Sequence, residues 1–439
     1  MGLQMAYPGL ANRRAWGAPM DWTHLMAAPI YILEDHRVDD LFPLTYNRPA
    51  SLLRCGSDLL IDRMLRNLPR PPEGLLIRDT LAVKYRERLG IPINPPVIPG
   101  RGAVFVNARW LMTEPFVEPP PDSAGIAADD FAWMHISGTR LKTIDLKRIV
   151  RSKFLDDLSR EMAGGVIDAT MIRFPWDLLR HVRPLLLEDF KRRGNAKKSK
   201  PMKGVYVLAE ENIYVGSDVQ IFPGVILDAT NGPIWIENHV IIRPNAVVTG
   251  PVYIGEHCVI RTGADIREDT VLGPHCRVGG EVSACLFQGY ANKQHEGFLG
   301  NSVIGEWVNI GAGTVTSNLK NTLGEVRVPI NGRPRSTGMN FLGSIIGDHA
   351  KLGIGTMLST GSVVGFASQV LTSRPPKFVP SFSWVTDEGI SRLDFHKMVS
   401  IARMAMERRQ CELTLADQDI FNRILSSYSS VEEYTWVPQ

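Results

Sequence analysis

Apolar residues recur every six positions along the second half of the chain. From Ile236 to Val278 the beat does not slip, and a small or medium side chain stands four residues after each anchor. A period of six fits neither an α-helix nor a strand with one buried face. It predicts a triangular solenoid over residues 213–372, with one short strand and one corner per hexad. The uninterrupted anchors are Ile236, Ile242, Val248, Ile254, Ile260, Ile266, Leu272 and Val278.

The beat is interrupted near Asn231–Pro233, over Gly279–Gly300 and over residues 317–343. A solenoid must expel inserted residues onto its surface, and long loops on a rigid scaffold often carry function. We therefore expect Gly279–Gly300 to form a long surface loop that holds the functional residues.

The first half of the chain has a different pattern. Short apolar strands at Ile30–Leu33 and Val104–Val106 alternate with helical patterns such as Leu59–Leu68. This alternation predicts an α/β domain of the Rossmann type over residues 29–200. A further helix is expected over Trp176–Arg193, broken at Pro184.

The remaining segments have simpler predictions. Residues 1–28 have no continuous apolar run and are expected to be a disordered extension. The solenoid domain is placed at 205–385, and the apolar spacing within 388–425 predicts a C-terminal helical segment over 386–439.

Composition narrows the setting of the protein. The formal net charge is only +3 and charged residues make up 22%, so nothing calls for a nucleic-acid partner. The sequence contains no run of 18 apolar residues, so it predicts no transmembrane helix. The five cysteines are odd in number and form no CxxC pair, which favours a protein of the reducing cytoplasm.

His295 is the candidate catalytic residue of the expected long loop. An imidazole can accept a proton near neutral pH. Transfer of an acyl group onto an amine needs such a base, because the attacking nitrogen must lose a proton. Backbone amides of the loop or of the next coil could hold the oxyanion.

His239, His257 and His275 are spaced by 18 residues, one coil each, and His349 occupies the same position later. They should stack in one column. An aligned histidine column is compatible with a zinc site. The preferred interpretation is that these residues form corners with an unusual backbone conformation.

A segment after the first strand contains Thr45, Arg48 and Arg54. A loop at the carboxyl end of a strand commonly lines the ligand crevice of an α/β sheet. These residues are therefore candidates for binding a nucleotide or its phosphates, with the guanidinium groups acting as bidentate donors.

The stretch from Val278 to Lys320 closely resembles one enzyme family. It reads VGGEVSACLFQGYANKQHEGFLGNSVIGEWVNIGAGTVTSNLK. The chain resembles the bifunctional N-acetylglucosamine-1-phosphate uridylyltransferase/glucosamine-1-phosphate N-acetyltransferases, and in particular divergent bacterial relatives with a shortened sugar nucleotidyltransferase domain. The resemblance implies a left-handed parallel β-helix and a homotrimer that binds acetyl-CoA between subunits.

The resemblance also assigns roles to individual residues. It implies that His295 is the catalytic base, and that Asn309, Asn318 and Arg261 bind substrate. A tyrosine that contacts the sugar phosphate in the family corresponds to Phe298, and a phosphate-binding lysine corresponds to Ser283. Lys293, Arg261 or Arg277 could take over the phosphate.

The N-terminal half departs further from the family. Where the family has a glycine-rich nucleotide-binding loop, this chain has Glu34–Arg37 without a glycine. Asn107 stands where the family has a metal-binding aspartate, and an amide is a weak ligand for Mg²⁺. The resemblance still implies UTP and Mg²⁺ for this domain, but the residues support that half of the activity less well.

The expected function is therefore acetyl-CoA-dependent N-acetylation of an amino-sugar phosphate, coupled to nucleotidyl transfer in the synthesis of a nucleotide sugar. Two alternatives remain open at this point. The chain could be a non-catalytic scaffold whose degenerate N-terminal domain binds a nucleotide sugar. It could also be a zinc hydratase built on a hexapeptide solenoid.

Overall fold

The computed structural model describes residues 27–98, 100–144, 149–150, 153–193 and 203–432. The extension expected over residues 1–28 therefore lies outside the described residues, apart from its last two positions. The same applies to residues 433–439 of the expected C-terminal segment.

The N-terminal half forms a six-stranded mixed sheet in the order β4-β1-β5-β7-β6-β8. Strand β1 pairs in parallel with β4 and β5, and the chain direction reverses at β7. The carboxyl ends of β1 and β5 therefore lie side by side. The strands are β1 (Ile30–Leu33), β2 (Arg54–Cys55), β3 (Asp58–Leu59), β4 (Gly74–Leu76), β5 (Gly102–Asn107), β6 (Ser123–Ala127), β7 (Asp130–Ser137) and β8 (Ala163–Val166).

Six α-helices accompany this sheet within the described residues. The helix expected at Trp176–Arg193 is two helices that meet at His181, so the break precedes Pro184. Pro184 falls in the first turn of the second helix, where its missing N–H costs nothing. The helices are α1 (Leu60–Asn67), α2 (Asp79–Arg88), α3 (Gly138–Leu141), α4 (Phe154–Glu161), α5 (Asp177–Arg180) and α6 (Val182–Arg193).

The second half is the predicted solenoid of parallel strands, arranged in three sheets. The first sheet contains Ile213–Val215, Ile234–Ile236, Val252–Ile254, Thr270–Leu272, Leu286–Phe287, Val303–Ile304, Ser344–Ile346, Ser362–Val364 and Phe378–Val379. The second contains Gln220–Ile221, Ile241–Ile242, Val259–Ile260, Arg277–Val278, Asn292–Lys293, Asn309–Ile310, Lys351–Leu352, Gln369–Val370, Ser383–Thr386 and Gly389–Arg392. The third contains Tyr206–Leu208, Ile226–Asp228, Val247–Thr249, Asp265–Ile266, Glu281–Ser283 and Phe298–Gly300, and it is extended by the pair Val315–Thr316 and Met357–Leu358.

The six-residue beat is explained by what fills the solenoid. All eight uninterrupted anchors are fully buried in one apolar cluster, as are the small residues four positions later, such as Ala246 and Cys258. Three faces of short strands leave room at each corner only for these small side chains. The hand of the solenoid stays a prediction of the resemblance.

The expectation of a long surface loop over Gly279–Gly300 is wrong. These residues form a further coil, whose strands pair with the coils before and after it. The beat is contracted: Val278 is followed by anchors at Val282 and Phe287, and the next inward position is Lys293. Shortened corners and a charged anchor concealed this coil in the sequence.

The irregular stretch at 317–343 is an excursion from the coil. It contains an antiparallel hairpin, Arg327–Ile330 with Arg333–Ser336. Beyond the last coils, residues 389–392 form a strand, not the expected helix, and two helices follow: α7 (Phe395–Glu407) and α8 (Leu415–Ser427). The remaining short 3₁₀ helices are His36–Leu41, Ala50–Leu52, Glu210–Asn212 and Tyr428–Ser430.

The N-terminal domain packs against the first solenoid sheet. In the three-residue strands of this sheet the middle side chain points outward, and Trp235, Tyr253 and Val271 are buried in the same cluster as the N-terminal core. Phe190 of α6 contacts Trp235 edge-to-face, with ring centroids 5.9 Å apart. The N-terminal domain thus covers the first sheet. Functional side chains are available on the second sheet and at the corner that follows it.

Candidate functional site

His295 lies at the corner between Asn292–Lys293 of the second sheet and Phe298–Gly300 of the third, and its side chain is exposed. The corner is held closely against the next coil, because the Gly313 N–H donates to the Glu296 carbonyl at 3.0 Å. Gly297 has φ +121°, and a Cβ there would come within 2.1 Å of the Thr314 carbonyl oxygen. Glycine is therefore required for this corner to form.

Lys293 is placed differently from the expectation that it contacts a substrate phosphate. It occupies an inward position opposite Val278 and is only 1% exposed. Its Nζ donates to the Gly279 carbonyl at 3.0 Å and to the His295 carbonyl at 2.8 Å. Burial lowers the pKa of Lys293 to about 8. Lys293 thus ties the backbone of His295 to the preceding coil from inside the solenoid.

Arg261 and Asn309 lie on coils on either side of His295, and both are exposed. Arg261 follows Ile260, which pairs with Val278, so Arg261 lies two coils before His295 on the same corner. Asn309 is the register partner of Asn292 on the next coil. Neighbouring coils are about 5 Å apart, so a ligand of ordinary metabolite size could contact all three residues.

Asn318 lies at the next corner of the coil, beyond the third sheet. Its Nδ2 donates to the Asn301 Oδ1 at 2.8 Å, and it adjoins Gly300, which pairs with Ser283. The Phe298 ring lies beside Gly300, since a Cβ there would come within 2.4 Å of it. Within one chain, Asn318 is therefore grouped with Phe298 and Ser283, on the other side of the third sheet from Arg261 and Asn309.

The crevice between β1 and β5 is filled by a buried ion-pair network. Asp35, Arg109 and Asp130 are all buried. The Arg109 Nε donates to Asp35 at 2.8 Å, and its Nη2 lies 3.3 Å from Asp130. Burial would raise the pKa of Asp35, but the Arg109 guanidinium holds it below its usual range. The carboxylates are thus already neutralised by arginine.

Asn107 belongs to the same network. Its Nδ2 donates to Asp35 and to the Phe131 carbonyl, both at 2.9 Å, and its Oδ1 accepts from the Arg109 N–H at 3.0 Å. A magnesium ion needs free oxygen ligands. Because the Asn107 oxygen and the two carboxylates are occupied, these residues do not fit the expected Mg²⁺.

Thr45, Arg48 and Arg54 do not line an open crevice, which corrects the expectation for them. Thr45 is buried, and its Oγ1 donates to the Val38 carbonyl at 3.0 Å. Arg48 is buried between Asp348 and Glu306 of the solenoid. Arg54 lies over the Tyr253 ring, and its N–H donates to Gln288. Arg48 and Arg54 thus contact the solenoid, whereas Thr45 is used within the N-terminal domain.

The histidine column forms as predicted. His239, His257 and His275 have φ of 58–60°, and successive rings stack with centroids 4.7 Å apart. Tyr290 and Trp307 continue the column towards His349. Over the residues that the structure covers, no group of three or more histidine, cysteine or acidic side chains is arranged to hold a metal ion.

Two further residues near the site escaped the sequence reasoning. Arg408 and Arg409 follow α7 directly, and the Arg409 Nη2 donates to the Asn292 Oδ1 at 2.6 Å. The basic pair at the end of a helical pattern was a visible signal. Its position beside the second sheet was not, because only the docking of α7 brings it there.

Fold and site together define a class: a sugar-nucleotidyltransferase-like domain joined to a hexapeptide-repeat transferase solenoid. Residues 30–198 match the sugar nucleotidyl transferase family, and residues 233–266 match the bacterial transferase hexapeptide family. No helix among the described residues has the length and apolar character needed to cross a membrane.

Individual relatives point to a particular family. A bifunctional sugar-1-phosphate nucleotidylyltransferase/acetyltransferase of Sulfurisphaera tokodaii is 34% identical over 90 residues, 20% of this chain and 22% of the relative. The bifunctional protein GlmU of Methanocaldococcus jannaschii is 35% identical over 85 residues, 19% of this chain and 21% of the relative. The expected resemblance to these bifunctional enzymes is confirmed over these segments. The matched segments span about a fifth of each relative.

Solved structures of acyltransferases are among the proteins to which the chain is similar. LpxA, a UDP-N-acetylglucosamine acyltransferase of Bacteroides fragilis, is 17% identical, with a TM-score of 0.29, over 54% of this chain and 87% of that chain.

Proposed function

We propose that this protein transfers an acetyl group from acetyl-CoA to the amino group of an amino-sugar phosphate. His295 acts as the general base, and Arg261 and Asn309 bind the substrates. The homotrimer and the cytoplasmic setting implied by the resemblance and the composition belong to the same proposal. Asn318, which lies at a different corner from His295, contributes at the far side of the third sheet.

One observation carries the proposal. His295 is exposed, but its backbone is held by a buried lysine whose ammonium donates to the His295 carbonyl at 2.8 Å. Burying a charge costs stability unless it is hydrogen-bonded, and the hydrogen bonds of Lys293 go to the backbone of this corner. An exposed imidazole on a rigid backbone is what general-base catalysis requires.

The reaction then proceeds at the second-sheet corner. The amine nitrogen forms a bond to the acetyl carbonyl carbon while His295 accepts the proton that the nitrogen loses. The carbon–sulfur bond breaks, and coenzyme A leaves as its thiol after the imidazolium returns the proton to the sulfur. Each step needs only the two substrates and the imidazole.

Nucleotidyl transfer has less support in this chain. The Sulfurisphaera tokodaii relative is named a sugar-1-phosphate nucleotidylyltransferase, but in this chain Asp35 and Asp130 are both paired with Arg109. We therefore keep a second candidate for the N-terminal domain alone, in which it binds a nucleotide sugar without turnover. A coupled assay with glucosamine 1-phosphate and acetyl-CoA, with and without UTP and magnesium, separates the two possibilities.

The test of the acetyl-transfer proposal compares two histidine variants. We expect His295→Ala to lower kcat for acetyl transfer to glucosamine 1-phosphate by about 10²- to 10⁴-fold. His396→Ala removes another exposed histidine, on α7, and should leave kcat unchanged. Thiol release measures turnover, and thermal unfolding confirms that both variants are folded. Full activity of His295→Ala would refute the proposal.

A further inference from the structure

Four arginines converge near the His295 corner, two from the solenoid and two from the C-terminal segment. Arg277 is the register partner of Asn292, whose side-chain oxygen accepts from Arg409. Arg277 and Arg409 therefore meet beside one asparagine. Arg408 precedes Arg409, and Arg261 lies one coil before Arg277 and two residues beyond its register partner Val259.

Among the described residues, these guanidinium groups have no carboxylate partner. In the part of the chain that the structure describes, none of the four makes an ion pair with a carboxylate, and the Arg277 Nε is buried without a hydrogen-bond partner. Burial, with the charges of Arg408 and Arg261, lowers the pKa of Arg277. Burial, with the charge of Arg277, lowers the pKa of Arg409. The four residues therefore repel one another.

The fully buried arginines of the chain are placed differently. Arg48, Arg63 and Arg109 each lie against a buried aspartate. A cluster of like charges without such partners costs stability, and an anion supplied from solution would offset that cost. The C-terminal position of Arg408 at α7 favours a positive charge through the helix dipole. That effect does not account for Arg277, which lies on a solenoid strand.

We propose that Arg261, Arg277, Arg408 and Arg409 bind a phosphate group of a substrate that reacts at His295. This deepens the proposed acetyl transfer and rests on it for the identity of the reaction. Guanidinium groups form paired hydrogen bonds with phosphate oxygens, and several around one phosphate are typical of such sites. The cluster would supply the positive charge that the family places at the position of Ser283.

Docking of α7 completes this site. Met398, Ala402 and Met406 are buried in the core that α7 shares with the N-terminal domain, and Cys411 is buried just after the arginine pair. The burial on both sides fixes where Arg408 and Arg409 project. The phosphate site therefore requires the C-terminal segment, although the catalytic histidine does not.

Two phosphates could be the ligand: the phosphate of the amino sugar, or the phosphates of coenzyme A. Calorimetric titrations of the full chain with glucosamine 1-phosphate, coenzyme A, 3′-dephospho-coenzyme A and inorganic pyrophosphate distinguish them. We expect Arg277→Gln and Arg409→Gln to weaken binding of one source by about ten-fold or more. Weaker binding of glucosamine 1-phosphate alone would identify the phosphate of the amino sugar. Weaker binding of coenzyme A but not of its 3′-dephospho form would identify the 3′-phosphate. Weaker binding of both coenzyme A forms would identify the pyrophosphate.

The control is Arg403→Gln, which removes an exposed arginine of α7. This variant should bind every ligand as the wild type does. Unchanged binding of all four ligands by both Arg277→Gln and Arg409→Gln would overturn the proposal. Since binding is measured without turnover, His295→Ala should retain wild-type affinity. If His295→Ala keeps full activity while Arg277→Gln loses affinity, the acetyl-transfer mechanism fails and the phosphate site stands.

A stability measurement separates a binding role from a structural one. Removing one of several repelling charges should leave the Tm of ligand-free Arg277→Gln equal to or above that of the wild type. Pyrophosphate should raise the Tm of the wild type more than that of the variant. The proposal would also be overturned if ligand-free Arg277→Gln has a Tm well below that of the wild type but binds the ligands equally well, and Arg277→Lys restores the Tm. Arg277 would then be a structural charge.

Discussion

Lys293 shows how one residue can serve the site from inside the fold. It replaces an aliphatic anchor, so its four methylenes lie in the apolar core while its ammonium reaches two backbone carbonyls at the corner. Both carbonyls are backbone groups, and neither is proposed to bind substrate. We interpret Lys293 as a positioning residue that acts through the backbone of His295.

We expect Lys293→Met to retain or raise the stability of the protein at neutral pH while lowering kcat by about ten-fold. Methionine matches the length of lysine and removes a buried charge, but it cannot hold the His295 carbonyl. The KM for acetyl-CoA should change little, because Lys293 does not face the substrate. Steady-state kinetics and urea unfolding measure these effects. An unchanged kcat would refute the positioning role.

The low pKa of Lys293 has its own signature in stability. Burial lowers it to about 8 from 10.5, so between these values the unfolded chain binds more protons than the folded one. The free energy of unfolding should therefore gain a term that is absent below pH 8 and complete above pH 10.5. Lys293→Met should lack this rise. Unfolding curves for both proteins across this pH range provide the comparison.

At the scale of elements, the C-terminal helix α8 is joined to the N-terminal domain through one carboxylate. Asp417 caps α8 together with Thr414 and pairs with Lys84 and Arg88 of α2. Burial alone would raise the pKa of Asp417, but these partners lower it to about 2. The contact fastens the segment that carries Arg408 and Arg409.

We expect Asp417→Asn to destabilise the protein by about 3 kcal/mol at pH 7, because it removes the carboxylate that pairs with the buried Lys84 and the half-buried Arg88. The folded pKa of about 2 lies below the ordinary 3.8, so the stabilisation is present above pH 3.8 and is lost as the pH falls towards 2. Denaturant unfolding at several pH values tests both statements. Asp419→Asn, an exposed residue of the same helix, is the control.

At the scale of the whole molecule, the two domains share one core. The outward side chains of the first sheet are buried with residues of the N-terminal domain, and Trp235 is only 7% exposed. Arg48 adds buried ion pairs to Asp348 and Glu306 across the same contact. Neither domain can leave the other without exposing apolar surface and unpairing these charges.

Heating should therefore produce a single cooperative unfolding transition. We expect Arg48→Met to lower the free energy of unfolding by about 3–5 kcal/mol, because Asp348 would be left buried without its partner. The transition should move to lower temperature without splitting. Scanning calorimetry measures the shift. Arg160→Met, which removes an exposed ion pair on α4, should have almost no effect. Two separate transitions would contradict the shared core.

How much could be predicted from the sequence differs between the fold and the site. The anchors Ile236 to Val278 specify the solenoid because burial repeats with the geometry of the coil. The coil at Gly279–Gly300 was missed because its shortened corners and Lys293 break that repeat. Thr45, Arg48 and Arg54 were assigned to a ligand crevice because polar side chains at a domain contact have the same composition as those at a binding site.

The sequence by itself determined the repeat architecture and the corner histidines, since each depends on local spacing. Only the tertiary structure decided that Arg109 neutralises Asp35 and that Asn292 brings Arg277 and Arg409 together. These pairs join residues far apart in the chain. The interaction energy of two charges depends on their separation in space, and the packing of the two domains and α7 sets that separation.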